Sequence, residues 1–297
     1  QRLCANDIAV PVGRTVYTAL LNERGTFESD VTLARLWPDK FLLITGSAQV
    51  TRDADWIGRN SPEGAHVALT DVTGAWTVLS LMGPHSRKLL QKVSPADFTN
   101  AAFPFGTIRE VSIGYATVLA SRRTYMGELG WELYVPVEFA VTVFETLHGA
   151  GAAFGLRDMG YYAIEGLRIE KAYRAWGREL TPDDTPWQAG LGWAVKLDKP
   201  TFIGRDALIR TAKLPDERRL FGFTMDGPAP LEGSVIRVNG DIVGHVTSSW
   251  DSPMYGHAVL MGWQKRMPHA DVVEIDGREA RVSQLPFYDK DGARARL

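Results

Sequence analysis

Apolar and polar residues alternate through "VYTALL", residues 16–21, and again through "FESDVTLAR", residues 27–35. A period of two marks a strand with unlike faces. Between the runs lies Asn22-Glu23-Arg24-Gly25, and Gly25 suits the left-handed turn position, so residues 16–36 are predicted to form a β-hairpin. "FLLITG" reads as a further strand ending at Gly46, and "VTRDADWIGRN" as a helix because Val50, Ala54 and Ile57 recur at spacings of four and three. "WTVLSLMGP" is a strand stopped by Gly83-Pro84, and "HSRKLLQKV" a short helix after it. Strands follow near 108–120 and over 131–136, then a helix over 137–148. The strongest helical pattern runs from Asp158 to Trp176, with an acidic start, a basic end and Gly177 beyond.

Prolines and glycines make "GRELTPDDTPWQAGLGW" irregular. The pattern then changes near residue 215. "RLFGFTM", "SVIRVNG", "DIVGHVTSS", "AVLMGW", "DVVEIDG" and "REARVSQL" are short strands about ten residues apart, which predicts a small barrel or sandwich. The chain is therefore expected to be α+β, with a mixed domain over residues 1–214 and a β domain over 215–297.

The length of 297 residues fits two domains. With 33 Lys plus Arg against 35 Asp plus Glu, there is no general basic field to attract nucleic acid. No apolar run approaches the roughly 18–20 residues of a membrane span, so a soluble chain without membrane partners is expected. The single cysteine, Cys4, excludes an internal disulfide and any Cys-rich metal site, which favours a reducing cytoplasm, with a mitochondrial matrix as the alternative. The opening "QRLCANDI" has neither Met nor a signal-type run and resembles a helix cut open, so the chain reads as a C-terminal piece of something longer.

Asp30 is the first chemical anomaly, a carboxylate within a strand pattern. Glu28, Asp30, Thr32 and Ala34 share one face of that strand, and Tyr17 lies opposite or diagonal to Asp30 according to the turn. That face is either solvated or part of a site. "RRTYMGELGWELYVP", residues 122–136, gathers Tyr125, Glu128, Trp131, Glu132 and Tyr134 around two glycines. Rings and acceptors of this kind suit a flat heterocycle with N–H donors, and they equally suit a packed hairpin. "GAGAAFG", residues 149–155, follows a helix rather than a strand, so it is expected to be a helix end and loop instead of a dinucleotide loop. The six histidines, His66, His85, His148, His245, His257 and His269, show no ligand spacing, and no metal site is expected. Neither a G-x-S-x-G elbow nor a Walker loop is present.

Taken in order, "NERGTFESDVTLARL", "YMGELGWELYVP", "AIEGLRIEKAYRAWGRELTPDDTPWQAGLGWAVKLDKPTFIGRDAL" and "GHVTSSWDSP" resemble the folate-binding aminomethyltransferase family, the glycine-cleavage T-proteins. "EKAYRAWGREL" and "MGELGWELY" look most like the C-terminal half of FAD-dependent dimethylglycine and sarcosine dehydrogenases. The resemblance implies a T-protein-like folate-binding domain of mixed sheets and helices followed by a small C-terminal β-barrel. It places the catalytic aspartate at Asp30 and the tetrahydrofolate contacts at Tyr17, Thr32, Tyr125, Glu132, Leu133 and Tyr134.

This chain has Gly46 where T-proteins have an asparagine, and Ile164 where they have an arginine for the folate tail. Both departures match the demethylating branch. The family's folate domain begins several tens of residues earlier, and the FAD of the oxidoreductase relatives belongs to a further N-terminal domain, for which this sequence carries no fingerprint. The implied chemistry takes an iminium derived from an N-methylated amine and transfers its one-carbon unit to tetrahydrofolate, giving 5,10-methylenetetrahydrofolate. The alternatives are a free-standing T-protein-like aminomethyltransferase acting on a lipoyl carrier, and a non-enzymatic folate-binding scaffold. The scaffold type carries a K-G-C-Y-x-G-Q-E motif that this sequence lacks.

Overall fold

The computed structural model describes residues 1–212, 217–265 and 270–297. In chain order the elements are β1 (Thr15–Leu21), β2 (Phe27–Arg35), β3 (Phe41–Ile44), α1 (Val50–Asn60), β4 (Trp76–Met82) and α2 (Ser86–Val93). Next come β5 (Ile108–Ile113), β6 (Ala116–Ser121), β7 (Gly130–Pro136), α3 (Ala140–Gly151), α4 (Tyr161–Glu170) and α5 (Arg205–Thr211). Strands β8 (Arg218–Met225), β9 (Val235–Val238), β10 (Asp241–Ser252), β11 (His257–Lys265), β12 (Val272–Ile275) and β13 (Arg278–Ser283) complete the series.

The chain forms two compact units, one of Gln1–Asp7, Thr18–Asp30 and Gly160–Asp291, the other of Ile8–Tyr17, Val31–Met159 and Gly292–Leu297. The expected boundary between residues 214 and 215 lies outside the described residues, as does His269.

In the first unit the strands close into a barrel in the order β10-β11-β8-β13-β12-β9, with β9 also paired to β10. Phe223, Ile236, Val246, Leu260 and Ile275 fill it. Closure leaves no open sheet edge. Helix α4 lies against β10 so closely that a Cβ on Gly166 would fall 2.2 Å from the Trp250 ring. This helix is shorter than the sequence pattern, ending at Glu170 instead of Trp176. Arg168, wholly buried within the helix, donates to the Tyr173 carbonyl and to Glu179, and Ala172 adopts a left-handed φ of 55°. Burying that guanidinium requires acceptors around it, and the chain folds back to supply them.

The second unit is built on a sheet of order β4-β7-β6-β5. Trp131, Leu133 and Val135 of β7 point to one face, where they pack with Leu89 and Leu90 of α2 and Val143 and Leu147 of α3. On the other face Leu119, Tyr134 and Ile108 meet Ala34 of β2. This second face carries the candidate chemistry. Helix α3 begins three residues later than the pattern suggests, after a single turn of 3₁₀ helix over Val137–Phe139. The glycine-rich run is the end of α3 followed by Gly155 in the left-handed region, φ 71°, as its position after a helix implied.

A third sheet has the order β1-β2-β3. Its hairpin turn is a three-residue loop, closed by Asn22 N–H to the Thr26 carbonyl at 3.0 Å, with Gly25 at φ 79°. This is the bulged form of the turn. Counting outward from Asn22 and Thr26 puts Thr18 across from Asp30, which removes Tyr17 from the facing position.

Candidate functional site

Strand β7 sorts its side chains by parity. Glu132 and Tyr134 lie on one face, while Trp131, Leu133 and Val135 are fully buried in the core on the other. The period of two therefore puts the predicted site residues Glu132 and Tyr134 side by side. It separates Leu133 from them: that side chain is core, and only its backbone remains on the site's strand.

Glycine is required at the start of this strand. Gly130 pairs with Met82 of β4, and a Cβ there would fall 2.1 Å from Met82 Sδ and 2.6 Å from the Leu81 carbonyl oxygen. The two strands meet at a distance no side chain would permit.

The Tyr134 hydroxyl donates to Glu132 Oε2 at 2.7 Å. Burial pushes the phenol above its ordinary range and the neighbouring Glu132 charge adds to that, so Tyr134 stays protonated and remains a donor. Arg123, just beyond β6, completes the group. Its Nε lies 3.5 Å from Glu132 Oε2, and its Nη2 donates to Thr32 Oγ1 at 2.6 Å. Ser121 stands directly across from Glu132 in the β6–β7 pairing and so shares its face.

Thr32 is buried at 5% exposure, and Ala34 two residues on packs against Tyr134. The strand face that the pattern left open is therefore not a solvated one at Thr32. Asp30 is half-buried and lies two residues earlier on the same strand, hence on the same face by backbone alternation. Tyr17 is half-buried on β1, and Tyr125 is 38% exposed in the loop between β6 and β7.

Thr32, Glu132 and Tyr134 are thus brought together, and the residue that joins them is one the sequence pattern passes over. Arg123 reads in the sequence only as half of a short basic pair. Its partner Arg122 has a different task. Fully buried, Arg122 donates to the backbone oxygens of Phe103 and Leu297, and burial together with nearby Arg87 pushes its guanidinium down to about 10. A buried Arg next to a half-buried one leaves no signature in composition. The clue was positional, since Ser121 and Arg123 share a face with parity two.

The chemistry of this donor set suits a planar, polar heterocycle. Glu132 accepts only, Arg123 donates only, and Arg123 Nη1 and Ser121 Oγ are buried without a hydrogen-bond partner. Buried polar atoms left unpaired await a group that supplies the missing bonds. A pterin ring, with N–H donors beside a carbonyl, fits that inventory. Among the described residues no group of His, Cys, Asp and Glu side chains could hold a metal ion, and no helix is long and apolar enough to cross a membrane.

Comparison with known proteins identifies the family of the chain. The profile of the GCVT N-terminal domain matches residues 1–199, and that of the glycine cleavage T-protein C-terminal barrel domain matches residues 218–289. An aminomethyltransferase of Halothermothrix orenii is 34% identical over 97% of this chain and 82% of its own length. Human mitochondrial sarcosine dehydrogenase is 39% identical over 82% of this chain but only 28% of its own length. The chain spans 28–37% of the oxidase and dehydrogenase relatives it matches. The crystal structure of the glycine cleavage system aminomethyltransferase T from Bartonella henselae superposes with a TM-score of 0.83 at 26% identity, covering 96% of this chain and 79% of that one.

Proposed function

The chain belongs to the glycine-cleavage T-protein family of aminomethyltransferases, and from that premise we propose that it is the tetrahydrofolate-dependent one-carbon transfer module of a flavin-dependent dehydrogenase. The reaction is the demethylation of an N-methylglycine-type amine, dimethylglycine or sarcosine, with 5,10-methylenetetrahydrofolate as product. The observation that carries the folate part is the joined group of Thr32, Arg123, Glu132 and Tyr134 with polar atoms still to be satisfied. The demethylating branch is supported by the 39% identity to sarcosine dehydrogenase, and by Gly46 and Ile164 where T-proteins have an asparagine and an arginine. In this reading FAD belongs to an N-terminal domain of the same parent chain, and residues 1–214 and 215–297 are the folate-binding and barrel domains.

Tetrahydrofolate, when bound, supplies a nucleophilic ring nitrogen. Glu132 holds the guanidine-like edge of the ring, because one carboxylate accepts two N–H bonds in a plane. Tyr134 fixes the orientation of that carboxylate through its own hydroxyl. Tyr17 and Tyr125 frame the ring, and the Leu133 backbone lies alongside it. Asp30 accepts a proton or hydrogen bond from the ring amine and stabilises positive charge that develops there.

In the parent enzyme with its flavin domain, Asp30→Ala should leave flavin reduction by the amine intact and divert the one-carbon product to formaldehyde. Loss of a positioned acid–base group costs on the order of 10²- to 10⁴-fold in rate. Unchanged yield of 5,10-methylenetetrahydrofolate would remove Asp30 from the catalytic role. Calorimetric titration of this chain, and of an upstream-extended version, with a reduced folate tests binding directly. Absence of binding in both overturns the folate reading.

A further inference from the structure

Resting on the reading of the ligand as a reduced pterin, we propose that Arg123 is a specificity-determining residue: it takes the ring carbonyl that lies beside the N–H donors held by Glu132, and so selects a 4-oxo pterin over a 4-amino one.

A guanidinium has five N–H donors in a planar fork and no acceptor. Arg123 uses one nitrogen on Thr32 Oγ1 at 2.6 Å and aims Nε at Glu132 Oε2 from 3.5 Å, while Nη1 is buried without a partner. Glu132 Oε2 already accepts from Tyr134. The cluster therefore holds an acceptor, the Glu132 carboxylate, together with one Arg123 nitrogen, Nη1, that has no partner. Complementarity demands a ligand edge that reverses this order, with N–H groups adjoining an acceptor. The carbonyl edge of a 4-oxo pterin has that order.

A 4-amino ring puts a donor where the carbonyl stood, and donor would then face donor. Sites built around buried polar groups discriminate strongly against a ligand that leaves those groups unpaired. One such unmade bond corresponds to about tenfold or more in affinity.

The test is calorimetric titration of the 297-residue chain with a 4-oxo tetrahydropteroylglutamate and its 4-amino counterpart of the same oxidation state and tail. The expected preference for the 4-oxo ligand is about tenfold or more. Arg123→Leu should bring the ratio to within about threefold, through weaker binding of the 4-oxo ligand and little change for the other. Arg123→Lys keeps a cation beside Glu132 but lacks the planar third nitrogen, and should lose the preference too. It also decides the matter if the leucine variant does not fold by circular dichroism. Binding without preference in the wild type, or a preference that survives in either folded variant, overturns the role of Arg123 alone. Binding of neither ligand by the wild type and by its upstream-extended version overturns the pterin reading itself.

Discussion

The Tyr134 hydroxyl donates to Glu132 Oε2 over 2.7 Å, from a side chain only two residues further along the same strand. Strand alternation alone puts the pair on one face, and burial of Tyr134 at 4% exposure shields its end of the bond from competing water. Tyr134→Phe should preserve the fold, because the ring still fills its place beside Ala34 and Leu119. Glu132 would lose an orienting bond worth about 1 kcal/mol, so affinity for a reduced folate should fall roughly fivefold. Titration calorimetry reads this, and unchanged affinity would detach Tyr134 from the site.

Alkaline stability should also depend on Tyr134. Burial first, and the Glu132 charge second, raise its folded-state ionisation above the value of 10.0 for a free tyrosine. Between the unfolded and folded ionisations the native state binds more protons than the unfolded one, so stability falls as pH rises. The contribution is complete below about pH 10 and is lost on going above it. Urea midpoints at a series of pH values from about 9 to 11.5 should therefore decline less steeply for Tyr134→Phe than for the wild type.

Gly130→Ala should be severe for a single methyl group. The new Cβ would fall 2.1 Å from Met82 Sδ and 2.6 Å from a backbone carbonyl, and the second of these cannot move aside without parting β4 from β7. Overpacking of this kind costs about 1–3 kcal/mol or more. Chemical denaturation should show the loss, and reduced-folate affinity should drop with it because Glu132 lies on the displaced strand.

Glu179→Gln should destabilise the unit that contains the barrel. Arg168 and Glu179 are both fully buried and paired at 2.8 Å, and Ser248 of β10 donates to the other Glu179 oxygen at 2.5 Å. Neutralising the carboxylate leaves Arg168 still paired with the part-buried Glu165. Breaking one side of a buried pair typically costs about 3–5 kcal/mol, and the surviving partner should hold the loss near the lower end. A urea titration measures it.

Much of this architecture was legible in advance. The hairpin, the strands of both sheets and the run of short strands that closes into a barrel all follow from alternation and turn residues. The length of α4 was not, because its pattern continues to Trp176 while the buried Arg168 pulls the following residues into a turn. Nor was the role of Arg123. It joins Thr32, some ninety positions away, to Glu132, and no local pattern encodes a meeting at that separation.

The sequence by itself determined which residues share a strand face, because side-chain parity is a property of the backbone and needs no partner. It also carried the family likeness that singles out Asp30, Glu132 and Tyr134. Only the tertiary structure decided that Thr32 is buried, that Leu133 belongs to the core, and that Arg123 stands between Thr32 and Glu132. The reason is physical: a guanidinium held between sheets needs acceptors from both, and which acceptors reach it is settled by packing, not by the order of residues along the chain.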